Sequence, residues 1–569
     1  MNYKERYSSW INSPYINNKN KEKLKKLKEE EIKDRFYKEI EFGTGGLRGL
    51  IGLGSNRINV FMVAKVTQGL SDFLNNRYKN KISVAIAYDS RNMSLDFARK
   101  AAEVFCGNNI KTYIFKNIMP TPMLSYAVRN LNCKAGIVIT ASHNSKEYNG
   151  YKVYNKYGGQ ITDRDAKDIY GYIKSVKDFE NINYGDLGEA KKIGLYNLIS
   201  DTVENSYYSH VKDICIRKNL IKKNSESLKI IYTPLHGTGN IPVRRVLKDL
   251  GYENVFVVKQ QERPDGEFST VKYPNPEYKE VFDIAVDMAK NINPDIIIGT
   301  DPDCDRMGVM VKNKKNKYIP LTGNEVGALL TNYILEALKE INKLPKESVI
   351  IKTIVTTDMI KFIARKFNIE VIEVLTGFKY IGEKIEEINK DKKFIFGLEE
   401  SYGYLFDTFV RDKDGVIAAV LVSEMTLYYK SKGKSLYEVL MELYKEYGCF
   451  TDRLVSIDLL GEKGEKIIEE SMNKLRYKSI NYINDTKIVR KIDYKYGTDK
   501  CLNKDKIKKI QLPKSNVLKY YLEDDSSFVI RPSGTEPKIK MYLSCKGKEI
   551  KQNNAKLDSL QDEIINIIN

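Results

Sequence analysis

One pattern constrains the fold of this chain more than any other: a short, β-branched apolar run that ends in a loop of Gly, Asp, Ser or Arg, and that recurs along the sequence. Ser83 to Ala87 precedes Tyr88-Asp89-Ser90-Arg91, Ala135 to Ile139 precedes Thr140-Ala141-Ser142-His143-Asn144, and Asp295 to Ile298 precedes Gly299-Thr300-Asp301-Pro302-Asp303. Phe394 to Phe396 leads into Gly397-Leu398-Glu399-Glu400-Ser401, and Ser527 to Ile530 into Arg531-Pro532-Ser533-Gly534-Thr535. Such runs, each expected to be followed by a helical stretch, predict α/β domains. Ligands of α/β sheets sit beyond the carboxyl ends of strands, so these loops are where chemistry would be mounted.

The 569 residues exceed the roughly 250 to 300 at which a single core stops growing, so three or four domains are expected. Polar, Lys-rich stretches at Arg217 to Ser227, Lys312 to Lys317 and Tyr477 to Lys508 are the linker candidates. The amino terminus, Met1 to Ser13, has no apolar h-region, and the longest apolar run, Val416 to Val422, is far short of a bilayer span. Seven cysteines are scattered without a CxxC pair, which suits a reducing cytoplasm. The net charge of +19 comes mostly from Lys interleaved with acids, as in Lys19 to Arg35, and reads as solvated surface rather than a nucleic-acid footprint. Neither a nucleic-acid nor a membrane partner is expected.

Chemistry concentrates in the loops. Ser142 follows a buried-type strand, which would hold its hydroxyl rigidly at a cleft. A Ser-His-Asp hydrolase is disfavoured, because adjacent Ser142 and His143 are expected to project differently and no GxSxG elbow exists. Asp301-Pro302-Asp303-Cys304-Asp305-Arg306 brings three carboxylates to one side of an extended loop, a site for a small divalent cation. It is not an EF-hand, since Arg306 replaces the sixth-place Gly and Lys312 the twelfth-place Glu. Carboxylates plus a phosphate oxygen favour Mg²⁺.

Glu399 and Ser401 offer acceptors and a hydroxyl for sugar, Thr376-Gly377-Phe378-Lys379 adds a cation, and Arg531-Pro532-Ser533-Gly534-Thr535 has the parts of a phosphate cradle. Phe42-Gly43-Thr44-Gly45-Gly46-Leu47-Arg48-Gly49 fails the dinucleotide fingerprint and reads as a flexible backbone presenting Arg48 to an anion. No GxxxxGK[ST] loop is present.

Five loops, in order from residue 42 to residue 537, resemble those of the α-D-phosphohexomutases, most closely the longer phosphoglucomutase and phosphopentomutase branch, to which Asn149-Gly150-Tyr151-Lys152-Val153-Tyr154 is also similar. The resemblance implies three similar mixed-sheet α/β domains and a smaller C-terminal α+β domain around a central cleft, here divided as 1–215 with the serine loop, 216–322 with the metal loop, 323–450 with the sugar loop and 451–569 with the phosphate loop. It implies a phosphoryl group carried on Ser142 and one Mg²⁺ held by Asp301, Asp303 and Asp305 with Ser142 completing the ligand set. Thr376, Gly377, Lys379, Glu399, Ser401, Arg531, Ser533, Gly534 and Thr535 would bind substrate. Arg48 and Arg306 would stabilise the transferring group, and His143 or Lys152 would move the proton.

The sequence departs from the family at Ser145, where Pro is usual, and at Gly403, where some bacterial relatives carry a His. The expected reaction interconverts glucose 1-phosphate and glucose 6-phosphate through a sugar 1,6-bisphosphate, in a monomer or homodimer. Mannose or pentose phosphates are the alternative substrates. A metal-dependent sugar-phosphate phosphatase and a noncatalytic binding protein are the rival readings.

Overall fold

A computed structural model describes residues 2–43, 45–79, 81–388, 392–459, 461–478, 480–503, 506–532 and 538–568. Three mixed sheets and one antiparallel sheet follow one another along the chain. In the first, the strands Lys111–Ile114, Ser83–Tyr88 and Ala135–Ile139 run parallel, and Ala135–Ile139 then pairs antiparallel with Tyr148–Asn155. The second has Ile230–Thr233 parallel to Ile296–Thr300, which turns back into Met307–Lys312. The third has Ser348–Thr353 parallel to Lys393–Glu399, which turns back into Gly403–Phe406. Ala135–Ile139 and Ile296–Thr300 are buried at every position, as strands covered on both faces must be.

The serine, carboxylate and sugar loops are therefore hairpin connections, and none is followed directly by the helix expected from the sequence. The reason is length: a short connection can return only to an antiparallel neighbour, whereas a parallel one needs a long crossover. The loop after Ser83–Tyr88 does lead into a helix, Ser94–Gly107, because its strand's next partner is parallel.

Helix Gly415–Ser431 ties the three units together. Asp414 caps it by accepting from the backbone N–H groups of Val416 and Ile417. It contains the apolar run Val416 to Val422, is apolar nearly all round, and packs against Ile296–Thr300 and helix Asn240–Asp249 of the second unit. The resulting core is continuous through Val138, Tyr207, Val243, Ile298, Leu330, Phe396 and Val420. Among the described residues no helix is long and apolar enough to cross a membrane.

The C-terminal sheet runs from Cys449–Asp458 through Lys538–Gly547, Ser527–Pro532 and Leu518–Leu522 to Thr486–Asp493 and beyond, and carries the helices Gly461–Tyr477 and Ile550–Ile568. Its core, with Leu518, Phe528, Met541 and Leu560, is separate. Its border with the third unit is both apolar and polar: Ile354, Val355 and Leu375 cluster with Ile492, Tyr494, Val517, Val529 and Tyr542, while Lys519 Nζ donates to Ile354 O at 2.7 Å and lies 3.5 Å from Glu373 Oε1.

All three linker candidates contain regular structure. Lys312–Lys317 closes the hairpin between Met307–Lys312 and Tyr318–Leu321, and Tyr477–Lys508 supplies the strands Thr486–Asp493 and Thr498–Cys501. Arg217–Ser227 also folds, as helix Lys218–Asn224 and a following turn of 3₁₀ helix. A high Lys content marks solvent exposure of one face, not the absence of regular structure.

Candidate active site

Ser142 is buried and its backbone is left-handed, φ 52°. That conformation costs a non-glycine residue roughly 1–2 kcal/mol, so the surroundings must impose it. Ser142 N donates to Thr140 Oγ1 at 2.8 Å, and the Ser142 hydroxyl donates to Asp301 Oδ2 at 2.8 Å. His143 Nδ1 stands 3.2 Å from Ser142 Oγ. The expectation that adjacent Ser142 and His143 project differently is not met, because the left-handed turn at Ser142 swings its side chain toward that of its neighbour. Burial, with the cations Arg306 and Arg48, holds the His143 imidazole well below its usual pKa, hence neutral and able to accept a proton at neutral pH.

The carboxylate loop uses the same device with a different residue: Cys304, fully buried, is the left-handed position at φ 49°. The turn lets Asp301, Asp303 and Asp305 converge, with one carboxylate oxygen from each within 4.8 Å of the others. Asp301 Oδ1 accepts from Asp305 N at 3.1 Å and Arg306 N at 3.0 Å, which folds the loop back on itself. Lys152 Nζ lies 2.7 Å from Asp303 Oδ2 and 3.2 Å from Asp305 Oδ2, and Lys413 Nζ lies 2.8 Å from Asp305 Oδ2.

Those contacts leave Asp303 Oδ1 and Asp305 Oδ1 buried without a hydrogen-bond partner among the described residues. Burial together with Asp303 and Asp305 pushes Asp301 well above the usual carboxylate range. At Asp305 burial acts upward too, but Lys152, Lys413 and Arg306 outweigh it and hold the carboxyl far below that range. Crowded hard oxygens with unused lone pairs are what a divalent cation requires, so the triad could hold a metal ion.

The sugar loop lies against this centre. Tyr402 O accepts from Met307 N at 3.1 Å, and Ser401 Oγ donates to Glu399 Oε1 at 2.9 Å. A Cβ at Gly403 would come within 2.6 Å of Lys413 Cδ and 3.0 Å of Glu399 Oε1, so a larger side chain there would displace both. Arg306 pairs with Glu277. Arg48, on the strand Gly46–Leu50, donates to Asn144 Oδ1 at 2.9 Å. The strands Phe42–Gly43 and Gly46–Leu50 form the edge of the first sheet, where Gly46–Leu50 pairs antiparallel with Tyr148–Asn155, so the expected flexible backbone around Arg48 is strand. Gly46, at φ 140°, permits the close approach, since a Cβ there would meet Tyr151 O at 2.0 Å.

Thr376 Oγ1 and Arg531 Nε are buried without a hydrogen-bond partner among the described residues, and Arg531 Nη2 donates to Tyr542 Oη at 3.1 Å. Gly377 is left-handed, φ 118°. Lys379 pairs with Asp163 of the first unit at 2.6 Å. Ser533, Gly534 and Thr535 lie outside the described residues.

Models of the three alpha/beta/alpha domains of phosphoglucomutase/phosphomannomutase match residues 39–180 (domain I), 205–315 (domain II) and 322–447 (domain III). The phosphoglucomutase of Staphylococcus haemolyticus (strain JCSC1435) is 37% identical over 510 residues, which cover 90% of this chain and 91% of the relative. That of Staphylococcus aureus (strain MRSA252) is 37% identical over 517 residues, 91% of each chain. The chain belongs to the phosphoglucomutase/phosphomannomutase family, the α-D-phosphohexomutases.

It is accordingly an isomerase of the intramolecular phosphotransferase kind. The fold is shared with the open form of the phosphoprotein pp63/parafusin from Paramecium, with a TM-score of 0.69 at 17% identity, covering 93% of this chain and 95% of that one. A phosphoglucomutase/phosphomannomutase family protein from Burkholderia thailandensis superposes with a TM-score of 0.64 at 17% identity, covering 93% of this chain and 96% of that one.

Several residues of this family site escaped the sequence reading. Thr121 donates to Asp303 from both its backbone N–H and its hydroxyl, each at 2.9 Å. Lys413 and its neighbour Asp412, which accepts from Tyr154 Oη and Gln160 Nε2 at 2.7 Å each, sit just before the most apolar helix of the chain. The signals were Pro120-Thr121-Pro122, a rigid start to a helix, and the charged run Arg411 to Asp414 abutting an apolar one.

Proposed function

We propose that this chain interconverts glucose 1-phosphate and glucose 6-phosphate, with Ser142 carrying the phosphoryl group between turnovers and a glucose 1,6-bisphosphate released and recaptured within the cleft. The observation that carries the reading is the Ser142 hydroxyl, held by a left-handed backbone 2.8 Å from Asp301 of a metal-capable triad and 3.2 Å from the His143 imidazole. Glucose is favoured over mannose or pentose by the names of the Staphylococcus relatives.

Mg²⁺ on Asp301, Asp303 and Asp305, with the Ser142 oxygen, would supply charge neutralisation at the phosphoryl group. The rest of the chemistry falls to side chains. Phosphoryl transfer asks mainly for alignment and charge stabilisation, and Arg48, Arg306 and Lys152 surround the Ser142 end with three cations. Lys152 is held protonated: burial alone would lower its pKa, but Asp303 and Asp305 outweigh that and raise it, which fits an electrostatic role. We therefore assign the proton at Ser142 Oγ to His143, leaving Lys152 to charge stabilisation.

At the distal end, the unused donor of Arg531 and the hydroxyl of Thr376 supply hydrogen-bonding capacity for a phosphate, and Ser533, Gly534 and Thr535 complete the cradle in this proposal. Glu399 and Ser401 lie between the two ends, where a ring could present either edge. All seven cysteines are free thiols, which supports a cytoplasmic location.

The test is ³¹P NMR of purified protein with glucose 1-phosphate and Mg²⁺. Conversion of the glucose 1-phosphate resonance to that of glucose 6-phosphate supports the proposal. Accumulation of inorganic phosphate in its place would make the protein a phosphatase.

A further inference from the structure

Arg91 lies outside the proposed reaction, yet few side chains in the molecule are held so completely. It is 3% exposed, and its guanidinium donates to four carbonyl oxygens of one segment: Ser142 O at 2.6 Å, Asn144 O, Ser145 O at 2.8 Å and Tyr148 O at 3.1 Å. That segment is the whole connection from the serine to the returning strand. On its other side Arg91 Nε lies 3.3 Å from Asp89 Oδ2, and both side chains are fully shielded from solvent. Asp89 is fixed in turn, because its Oδ1 accepts from Arg91 N at 2.9 Å and from Ser94 Oγ at 2.7 Å.

A residue of the second unit closes the arrangement. The ring of Phe268, 1% exposed, lies with its centroid 4.9 Å from the Arg91 guanidinium carbon. Phe268 is itself left-handed, φ 45°, in a loop folded around Asp265, whose carboxylate accepts from Glu267 N at 2.9 Å and Ser269 N at 3.0 Å. Glu267 grips the first unit by accepting from Asn92 Nδ2 at 2.7 Å and Lys146 Nζ at 2.8 Å. The aromatic face excludes water from the guanidinium, which strengthens its hydrogen bonds to the carbonyls.

We infer that Arg91, braced by Asp89 and sealed by Phe268, is the positioning residue that imposes the left-handed backbone of Ser142 and so aims its Oγ for transfer. This rests on reading Ser142 as the phosphoryl carrier. A planar guanidinium can reach four diverging carbonyls at once, whereas an ammonium offers a point charge and three donors on a single atom. Loss of the fork lets Ser142 relax toward ordinary backbone angles, which rotates Oγ away from Asp301. None of the four accepting groups belongs to the loops assigned to the sugar ring or the distal phosphate. The transfer step should therefore suffer while substrate affinity is kept.

The test uses the full chain with Arg91→Lys, Phe268→Leu and Asp89→Asn. Phosphorylation of Ser142 by glucose 1,6-bisphosphate is followed in single turnovers by peptide mass, with steady-state kcat and KM measured beside it. Arg91→Lys should slow both phosphorylation and kcat by about 10- to 100-fold with KM changed less than about twofold. Phe268→Leu, which keeps volume but removes the ring face, should slow them less and in the same way. Unchanged phosphorylation in Arg91→Lys, or a rise in KM at constant kcat, would overturn the inference. Should Arg91→Lys fail to fold, the same split in Phe268→Leu and Asp89→Asn decides the matter, and wild-type kinetics in both would overturn it. If wild-type Ser142 takes phosphate while the variants transfer normally, only the role of Arg91 falls. If wild-type Ser142 never takes phosphate, the function reading falls with it.

Discussion

The serine loop and the carboxylate loop are built on one plan and put to opposite uses. Each leaves a fully buried parallel strand, returns as a hairpin, and turns on one non-glycine residue with positive φ, Ser142 at 52° and Cys304 at 49°. In the carboxylate loop the left-handed residue is a buried spacer and the three flanking Asp side chains do the binding. In the serine loop the left-handed residue is itself the reacting group. Both loops are also held from outside, but differently: the carbonyls of the carboxylate loop accept from donors on separate elements, Thr121 N, Thr238 N and Gly415 N, whereas four carbonyls of the serine loop converge on one side chain, Arg91. A strained backbone is thus a spacer's property in one place and a nucleophile's aim in the other.

The most severe way to break the comparison is Ser142→Ala, which removes the reacting oxygen and should lower mutase kcat by about 10⁴-fold or more without unfolding the protein, as a coupled glucose 6-phosphate assay would show. Asp303→Asn leaves the turn at Cys304 intact but removes charge from the triad. It should cost about 10²- to 10³-fold in kcat and shift the Mg²⁺ titration to higher concentration, and an unchanged titration would count against the triad as the metal site. His143→Gln should cost about 10²-fold. Because burial and the arginines Arg306, Arg48 and Arg91 hold that imidazole low, the acid limb of the wild-type free-enzyme kcat/KM profile should fall below pH 6.5, the ordinary histidine value. Cys304→Ser sharpens the contrast at the smallest scale: it should cost stability by about 1–3 kcal/mol, read by denaturant titration, while kcat stays within a few fold.

The third loop adds a pH test. Burial and then Glu399 push Glu400 up to about 7 from 4.5. A carboxyl raised on folding binds its proton more tightly in the folded state, so its contribution favours folding below pH 4.5 and is lost as pH rises toward 7. Glu400→Gln should flatten the pH dependence of stability in that window.

How much of this was legible in the sequence differs loop by loop. Ser142, the three Asp residues, Glu399, Ser401 and Arg531 stood out because each is a polar group at the end of an apolar run, a position that packing alone does not explain. That the loops close hairpins was not legible, since an apolar run after a loop of such length fits a strand or the start of a helix equally. Arg91 and Phe268 were beyond reach for another reason. Their roles exist only where Ser142, Asp89 and Phe268 meet, across 179 residues of chain from Asp89 to Phe268 and between two folded units. Lys413 was closer to legible, a buried cation in a charged run beside an apolar helix, and was passed over because charge runs usually face water.

The central claim is that Ser142 carries the phosphoryl group. Its most direct test is the mass of the tryptic peptide containing Ser142 after incubation of the purified protein with ¹⁸O-labelled glucose 1,6-bisphosphate and Mg²⁺, followed by a chase with unlabelled glucose 1-phosphate. The account predicts a labelled phosphoryl group on Ser142 that the chase removes at the rate of turnover. Active protein whose Ser142 never carries the label would contradict it.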